Sequence, residues 1–255
     1  MDDPKPQRVA LVTGGAVRVG RALSLGLAEA GYDLAVTYRS SGREAEEVAA
    51  RARAAGRRCE LVAADLSEAG AAELVAKAVE RAFGRLDLLV NSAASFDAAP
   101  LLEVDAERWD AVMSLNVRAP HLLVRAAASL LRRARGSVVN IADLSAFQPW
   151  LERPHHAVSK AALVHLTKVQ ARALAPDVRV NAVAPGAVLP PEDLSGEAKQ
   201  SLADAAPLQR LGSPADIVAA VLYLARADFV TGEVLVVDGG RLLGAPPRGA
   251  RPPRK

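Results

Sequence analysis

Residues 8–20 read RVALVTGGAVRVG. The first six form a short aliphatic run of the kind a sheet buries on both faces. The stretch Thr13-Gly14-Gly15-Ala16-Val17-Arg18-Val19-Gly20, which overlaps that run at Thr13, leads into a helix-period segment over 19–30. A glycine turn between a strand and a helix lets backbone N–H groups and the helix N-terminus face a pyrophosphate. An ordinary glycine turn could carry the same residues, but the placement after the first strand favours a cofactor. The spacing differs from G-x-G-x-x-G, and Arg18 stands where a middle glycine is common.

Working outward, short apolar runs alternate with helix-period runs. Strands are expected over 8–13, 33–38, 58–63, 86–91, 137–141, 178–184 and 234–238. Helices are expected over 19–30 with Gly31 closing the end, and over 44–55, 67–83 and 155–174. One long helix is expected from an Asp105 cap to about residue 132. Ser213-Pro214-Ala215-Asp216 reads as a further helix start, with a cap, a proline at the first position and an acid at the third. This alternation predicts an α/β fold. It is a single domain holding one doubly wound parallel sheet of about seven strands, with helices on both faces.

The second strand ends in Tyr38-Arg39-Ser40-Ser41. An NAD site places an acid about here to accept from the ribose 2′-hydroxyl. Arg39, the serines and Arg18 would instead meet a 2′-phosphate, which a carboxylate would repel. A solvated basic loop is the plainer alternative; the reading favours NADP(H). Asp65-Leu66 follows the third strand and Asn91-Ser92-Ala93-Ala94-Ser95-Phe96 the fourth, both at carboxyl ends where such sheets bind ligands. Taken alone, Asp65 could simply cap a helix and Phe96 could be a core or loop aromatic. Asp143 stands 13 residues before His156, and Lys160 is at i+4 from His156 on one helix face. Acid, imidazole and ammonium could converge on one cleft. Neighbouring His155 is expected to be exposed.

At this point the chain resembles the short-chain dehydrogenase/reductase family over residues 8–243. The matches run in order: TGGAVRVG, Asp65, NSAA, Asn116 in LNVRAP, the helix ending its motif at Lys160, NAVAPG over 181–186, and Thr231-Gly232 followed by Val237-Asp238-Gly239-Gly240. Within that family it most resembles the pteridine reductases. The grounds are Arg18, YRSS, NSAASF, Asp143 in place of a serine, and PGAVLPPE over 185–192. The resemblance implies a Rossmann-type fold and a reductase of dihydropterins or dihydrofolate. It implies NADP(H) held by Gly14, Arg18, Val19, Tyr38, Arg39, Ser40, Asp65, Leu66, Asn91, Ala93, Lys160, Pro185 and Gly186. It assigns catalysis to Asp143, His156, Lys160 and Asn116, and the pterin-like substrate to Phe96, Asp143 and His156. Family members associate through the long helices, so a homotetramer is expected. The family's catalytic motif is YxxxK, and here it reads His156-Ala157-Val158-Ser159-Lys160. The three tyrosines, Tyr32, Tyr38 and Tyr223, lie elsewhere. An imidazole can still serve as general acid or base. A ketone oxygen needs a strong donor as hydride arrives, whereas an imine nitrogen can be protonated beforehand, so a C=N substrate tolerates the replacement better. The alternative is a catalytically weak NADPH-binding protein with a sensing or assembly role.

Composition narrows the remaining classes. Of 255 residues, 51% are hydrophobic and 24% charged, a globular balance. The net charge is +3, and the tail over 244–255 carries Arg248, Arg251, Arg254 and Lys255 without an acid, leaving the remainder at −1. No basic face for nucleic acid is therefore expected on the folded body. The tail and residues 1–7 are expected to be flexible. One cysteine, Cys59, excludes an internal disulfide and a cysteine-based metal cluster; no metal is expected. No apolar run approaches the roughly 18 residues that span a bilayer, and the MDDPKPQR start has no apolar signal segment. A soluble cytoplasmic protein with a small-molecule substrate is the expectation.

Overall fold

A computed structural model describes residues 7–190 and 193–244. Seven strands form one sheet in the order β3-β2-β1-β4-β5-β6-β7, with every pair parallel. They are β1 (Val9–Val12), β2 (Asp33–Tyr38), β3 (Cys59–Ala63), β4 (Leu88–Asn91), β5 (Ser137–Ile141), β6 (Arg179–Pro185) and β7 (Val234–Val237). The helices are α1 (Arg18–Glu29), α2 (Gly42–Ala54), α3 (Ala71–Phe83), α4 (Ala106–Met113), α5 (Ala119–Ala134), α6 (Pro154–Leu174), α7 (Gly196–Asp204) and α8 (Pro214–Arg226). The order reverses between β1 and β4, the switch point where such sheets bind ligands.

Successive strand side chains point to opposite faces. Val9 and Leu11 pack with Val75 and Val79 of α3 and Leu123, Ala127 and Leu131 of α5. Ala10 and Val12 pack with Leu23 and Leu27 of α1, Val48 of α2, and Ile217 and Val221 of α8. All four β1 residues are buried, which is why the strand reads as an unbroken apolar run. Full burial of a side chain such as Leu11 contributes about 1.5–3 kcal/mol.

Three elements differ from the sequence reading. The long helix after Asp105 is two helices separated by a π-turn over Ser114–Arg118. Asp105 does cap α4, accepting from the Arg108 N–H at 2.9 Å. The inserted turn rotates Asn116 into the core, where it is buried. The helix expected from residue 67 starts at Ala71, because Gly70 takes a left-handed conformation (φ 81°) just before it. Helix α7 was not anticipated; its segment is short and only Ala203 is buried. The Ser213–Asp216 capping box is present. The expectations for the flexible N-terminus and basic tail fall on residues 1–6 and 245–255, outside the described residues, as do Pro191 and Glu192 of the PGAVLPPE stretch.

Candidate active site

A cleft of about 810 Å³ opens at the carboxyl ends of the strands, over the switch point. Gly14, Arg18, Val19 and Gly20 line one end with Tyr38, Arg39, Ser40, Asp65 and Leu66. Ala93, Phe96, Asp143, Trp150, His156 and Lys160 line the other, with Pro185 and Gly186 between.

The glycine turn is held from below. The Thr13 hydroxyl accepts from the backbone N–H of Ser92 (2.9 Å) and of Ala93 (3.0 Å), tying the β1 and β4 ends together. Gly14 has φ +60°, and a Cβ there would lie 3.0 Å from the Ala93 Cα. Val17 offers no side-chain cap to α1, so the first helical N–H groups are left for a ligand. A glycine-floored turn at an uncapped helix start fits a pyrophosphate. Arg18 is a non-glycine residue at φ +50°, a strained conformation. Its guanidinium donates to the Leu189 carbonyl at 2.7 Å, across the cleft.

Arg39 is exposed and lies 3.5 Å from the Asp65 carboxylate. Hydrogen bonds from the Ser67 hydroxyl and backbone N–H hold the Asp65 carboxyl below its usual range; slight burial opposes this and Arg39 assists.

Two predicted residues do not line the cleft. Asn91 is buried, and its amide donates to Asn140 Oδ1 at 2.8 Å. Its side chain joins the ends of β4 and β5 rather than the cofactor space. Asn116 is also behind the wall: its Oδ1 accepts from the Ser95 N–H (2.8 Å), and its Nδ2 donates to the Ser95 carbonyl (3.1 Å) and the Ser159 hydroxyl (2.9 Å).

Asp143, His156 and Lys160 do converge. Lys160 is buried and donates to the Ile141 carbonyl at 2.8 Å. Burial pushes its ammonium down to about 8, against the pull of the Asp143 charge. For Asp143 burial pushes the carboxyl upward. The facing His156 imidazole when protonated, with the Ser145 N–H and Lys160, outweighs it and holds the carboxyl below its ordinary value. His156 Nδ1 lies 2.9 Å from the Ser95 carbonyl oxygen. A carbonyl only accepts, so Nδ1 carries the hydrogen. Nε2 therefore bears the lone pair of the neutral ring. It is buried without a hydrogen-bond partner, 4.0 Å from Asp143 Oδ2. That separation is beyond direct hydrogen bonding.

Aromatic rings frame this nitrogen. Phe96 meets His156 edge-on at 4.8 Å between centroids, and Trp150 lies 6.4 Å from it at 22° between planes. Sequence reasoning missed Trp150 and Ser95. An isolated tryptophan and a serine acting through its carbonyl carry no spacing signal. The expectation for His155 is corrected: its relative exposure is 0%, because the segment after β4 packs over it.

Among the described residues, no three His, Cys, Asp or Glu side chains are grouped to hold a metal, and no helix is long and apolar enough to cross a membrane.

Residues 15–241 match the family described as enoyl-(acyl carrier protein) reductase. The chain is 33% identical over 242 residues to 3-oxoacyl-(acyl-carrier-protein) reductase FabG of Staphylococcus aureus, covering 92% of this chain and 98% of that one. An acetoin dehydrogenase from Enterobacter cloacae superposes with TM-score 0.87 at 33% identity, covering 97% of this chain and 100% of that one. A blue fluorescent protein from a metagenomic library, solved in complex with NADPH, superposes with TM-score 0.86 at 34% identity, covering 94% and 99%.

Proposed function

The chain belongs to the short-chain dehydrogenase/reductase family of NAD(P)-dependent oxidoreductases, and on that premise we propose that it is an NADPH-dependent reductase of a planar C=N substrate of the dihydropterin or dihydrofolate type. One observation carries the reading: His156 lines the cleft, and its buried, partnerless Nε2 lies beside a carboxylate with two aromatic rings around the imidazole. A flat nitrogen heterocycle satisfies all three, by stacking on Phe96, hydrogen bonding to Asp143 and reaching His156 through its ring nitrogen.

The Gly14 turn and the start of α1, with Val19, hold the pyrophosphate of NADPH. Arg39, Ser40 and Arg18 meet the 2′-phosphate, while Tyr38, Asp65, Leu66 and Ala93 wall the adenosine half. Pro185, Gly186 and Lys160 serve the nicotinamide half, with Lys160 on the ribose hydroxyls. The cofactor supplies the hydride when bound. His156, charged at Nε2 and stabilised by the Asp143 carboxylate, gives its proton to the substrate nitrogen. Asn116 and the Ser95 carbonyl keep the ring in one tautomer. Asn91 supports the site through Asn140.

A second reading, an NADPH-binding protein with little turnover, is favoured by the tautomer. The neutral ring presents a lone pair, and Asp143 is 4.0 Å away. NADPH oxidation with dihydropterin, dihydrofolate, quinonoid and 3-oxoacyl substrates separates the two. Turnover of the pterins supports the first reading. Tight NADPH binding without turnover on any substrate supports the second. Turnover of 3-oxoacyl groups alone overturns the C=N assignment.

A homotetramer suits this reading. The outward face of α6 exposes Val158 and Val169, and β7 is a half-buried edge strand.

A further inference from the structure

Adjacent histidines at the start of α6 grip one loop. His156 Nδ1 donates to the Ser95 carbonyl at 2.9 Å, and His155 Nε2 lies 3.3 Å from Asp97 Oδ2. A third tie joins the Ala99 N–H to the Glu152 carbonyl at 3.0 Å. Between the two histidine contacts sits Phe96, with the Arg153 guanidinium 4.3 Å over its ring.

The His155 contact is the unexplained one. Its ring is fully buried, yet His155 is not among the residues that line the cleft. Its Nδ1 has no partner. A carboxylate only accepts, so Nε2 carries a hydrogen toward Asp97. Asp97 is partly exposed and also lies 3.6 Å from the Arg108 Nε of α4. The carboxylate thus ties α6, α4 and the residue next to Phe96. Burying an imidazole costs free energy unless its polar atoms are engaged. Here one of the two is spent on the neighbour of the ring that walls the substrate space.

We propose that His155 and Asp97 are positioning residues: their hydrogen bond sets where Phe96 stands, and through it substrate affinity and selectivity, without taking part in proton transfer. The substrate side of this inference rests on the function proposed above; the placement of the ring does not.

The experiment uses the full chain carrying Trp109→Phe, which leaves Trp150 as the remaining tryptophan of two. Trp150 lies 6.2 Å from Phe96, so acrylamide quenching of its emission reports the aromatic wall without any substrate. Asp97→Ala is expected to raise KM roughly tenfold with kcat nearly unchanged, the pattern of lost uniform binding. NADPH affinity should stay at the parent value, and Trp150 quenching should rise. Asp97→Asn keeps an acceptor for the His155 N–H, so it should restore both KM and quenching. Unchanged KM on a substrate that is turned over, or unchanged quenching in Asp97→Ala, overturns the proposal. Failure of Asp97→Asn to rescue, with melting temperature falling equally in both variants, also overturns it, since the pair would then be structural only. If no substrate is turned over, the proposed function falls and the quenching arm alone decides the placement of Phe96.

Discussion

The Arg39 guanidinium and the Asp65 carboxylate face each other at 3.5 Å across the ends of β2 and β3. No acid stands where an NAD site would use one at the end of β2 itself, and the exposed arginine can exchange its Asp65 partner for a phosphate. We expect tighter binding of NADPH than NADH by titration. Arg39→Asp should shift preference toward NADH, because a carboxylate repels the 2′-phosphate and accepts from a ribose hydroxyl. Equal affinities in the unsubstituted protein would sink the assignment.

His156→Ala should lower kcat by on the order of 10²-fold or more, a common size for a lost general acid. NADPH affinity should barely change, since the proposed contact to the ribose is Lys160 rather than His156. His156→Tyr should retain activity, because a phenol hydroxyl can also donate a proton from this position. Wild-type turnover in His156→Ala would pass the role to Asp143 or a bound water.

Lys160 gives a stability signature. Its folded value is about 8, against 10.5 for an ordinary lysine. Between these values the unfolded chain binds the extra proton, so this group's contribution to stability rises with pH across that window. The penalty for burying the charge is present in full below about pH 8. Urea titrations should show Lys160→Met more stable relative to wild type at pH 7 than at pH 10. A constant difference between the two would contradict the burial of a charged amine.

Gly14→Ala should impair cofactor binding more than folding. The added methyl meets the Ala93 backbone and the backbone stands at φ +60°, a conformation costing alanine about 1–2 kcal/mol. NADPH affinity and urea midpoint, measured together, separate the two effects. A lost midpoint with intact affinity would be the wrong outcome.

Light scattering at micromolar concentration should give the mass of four chains. A monomeric mass would refute assembly through α6 and the β7 edge.

The parallel sheet was legible because Val9–Val12 of β1 and Leu88, Leu89 and Val90 of β4 are buried on both faces and therefore continuously apolar. The convergence of Asp143, His156 and Lys160 was legible from helical spacing and family likeness. The histidine pair was not. His155 and His156 are adjacent on α6 and differ only in which part of one loop each meets. The π-turn was only half legible: Pro120 in SLNVRAP marks a new helix start, but the extra residue before it becomes visible only when Asn116 bonds to Ser95 and Ser159. Asn91 misled for the opposite reason, since a strand-end amide suits a ligand and a neighbouring strand equally well.

The carbonyl of Ser95 has one more effect. An oxygen of that kind can hold the inner hydrogen of the imidazole but cannot ferry it onward, so His156 has no exit for charge on its inner side. The ring must discharge and reload through the same nitrogen. Nε2 is itself buried while the Asp143 carboxylate is partly exposed, so in the proposed cycle the ring waits for its proton to return by way of Asp143. A substrate that arrives already protonated escapes that wait, and one that must draw on the ring does not.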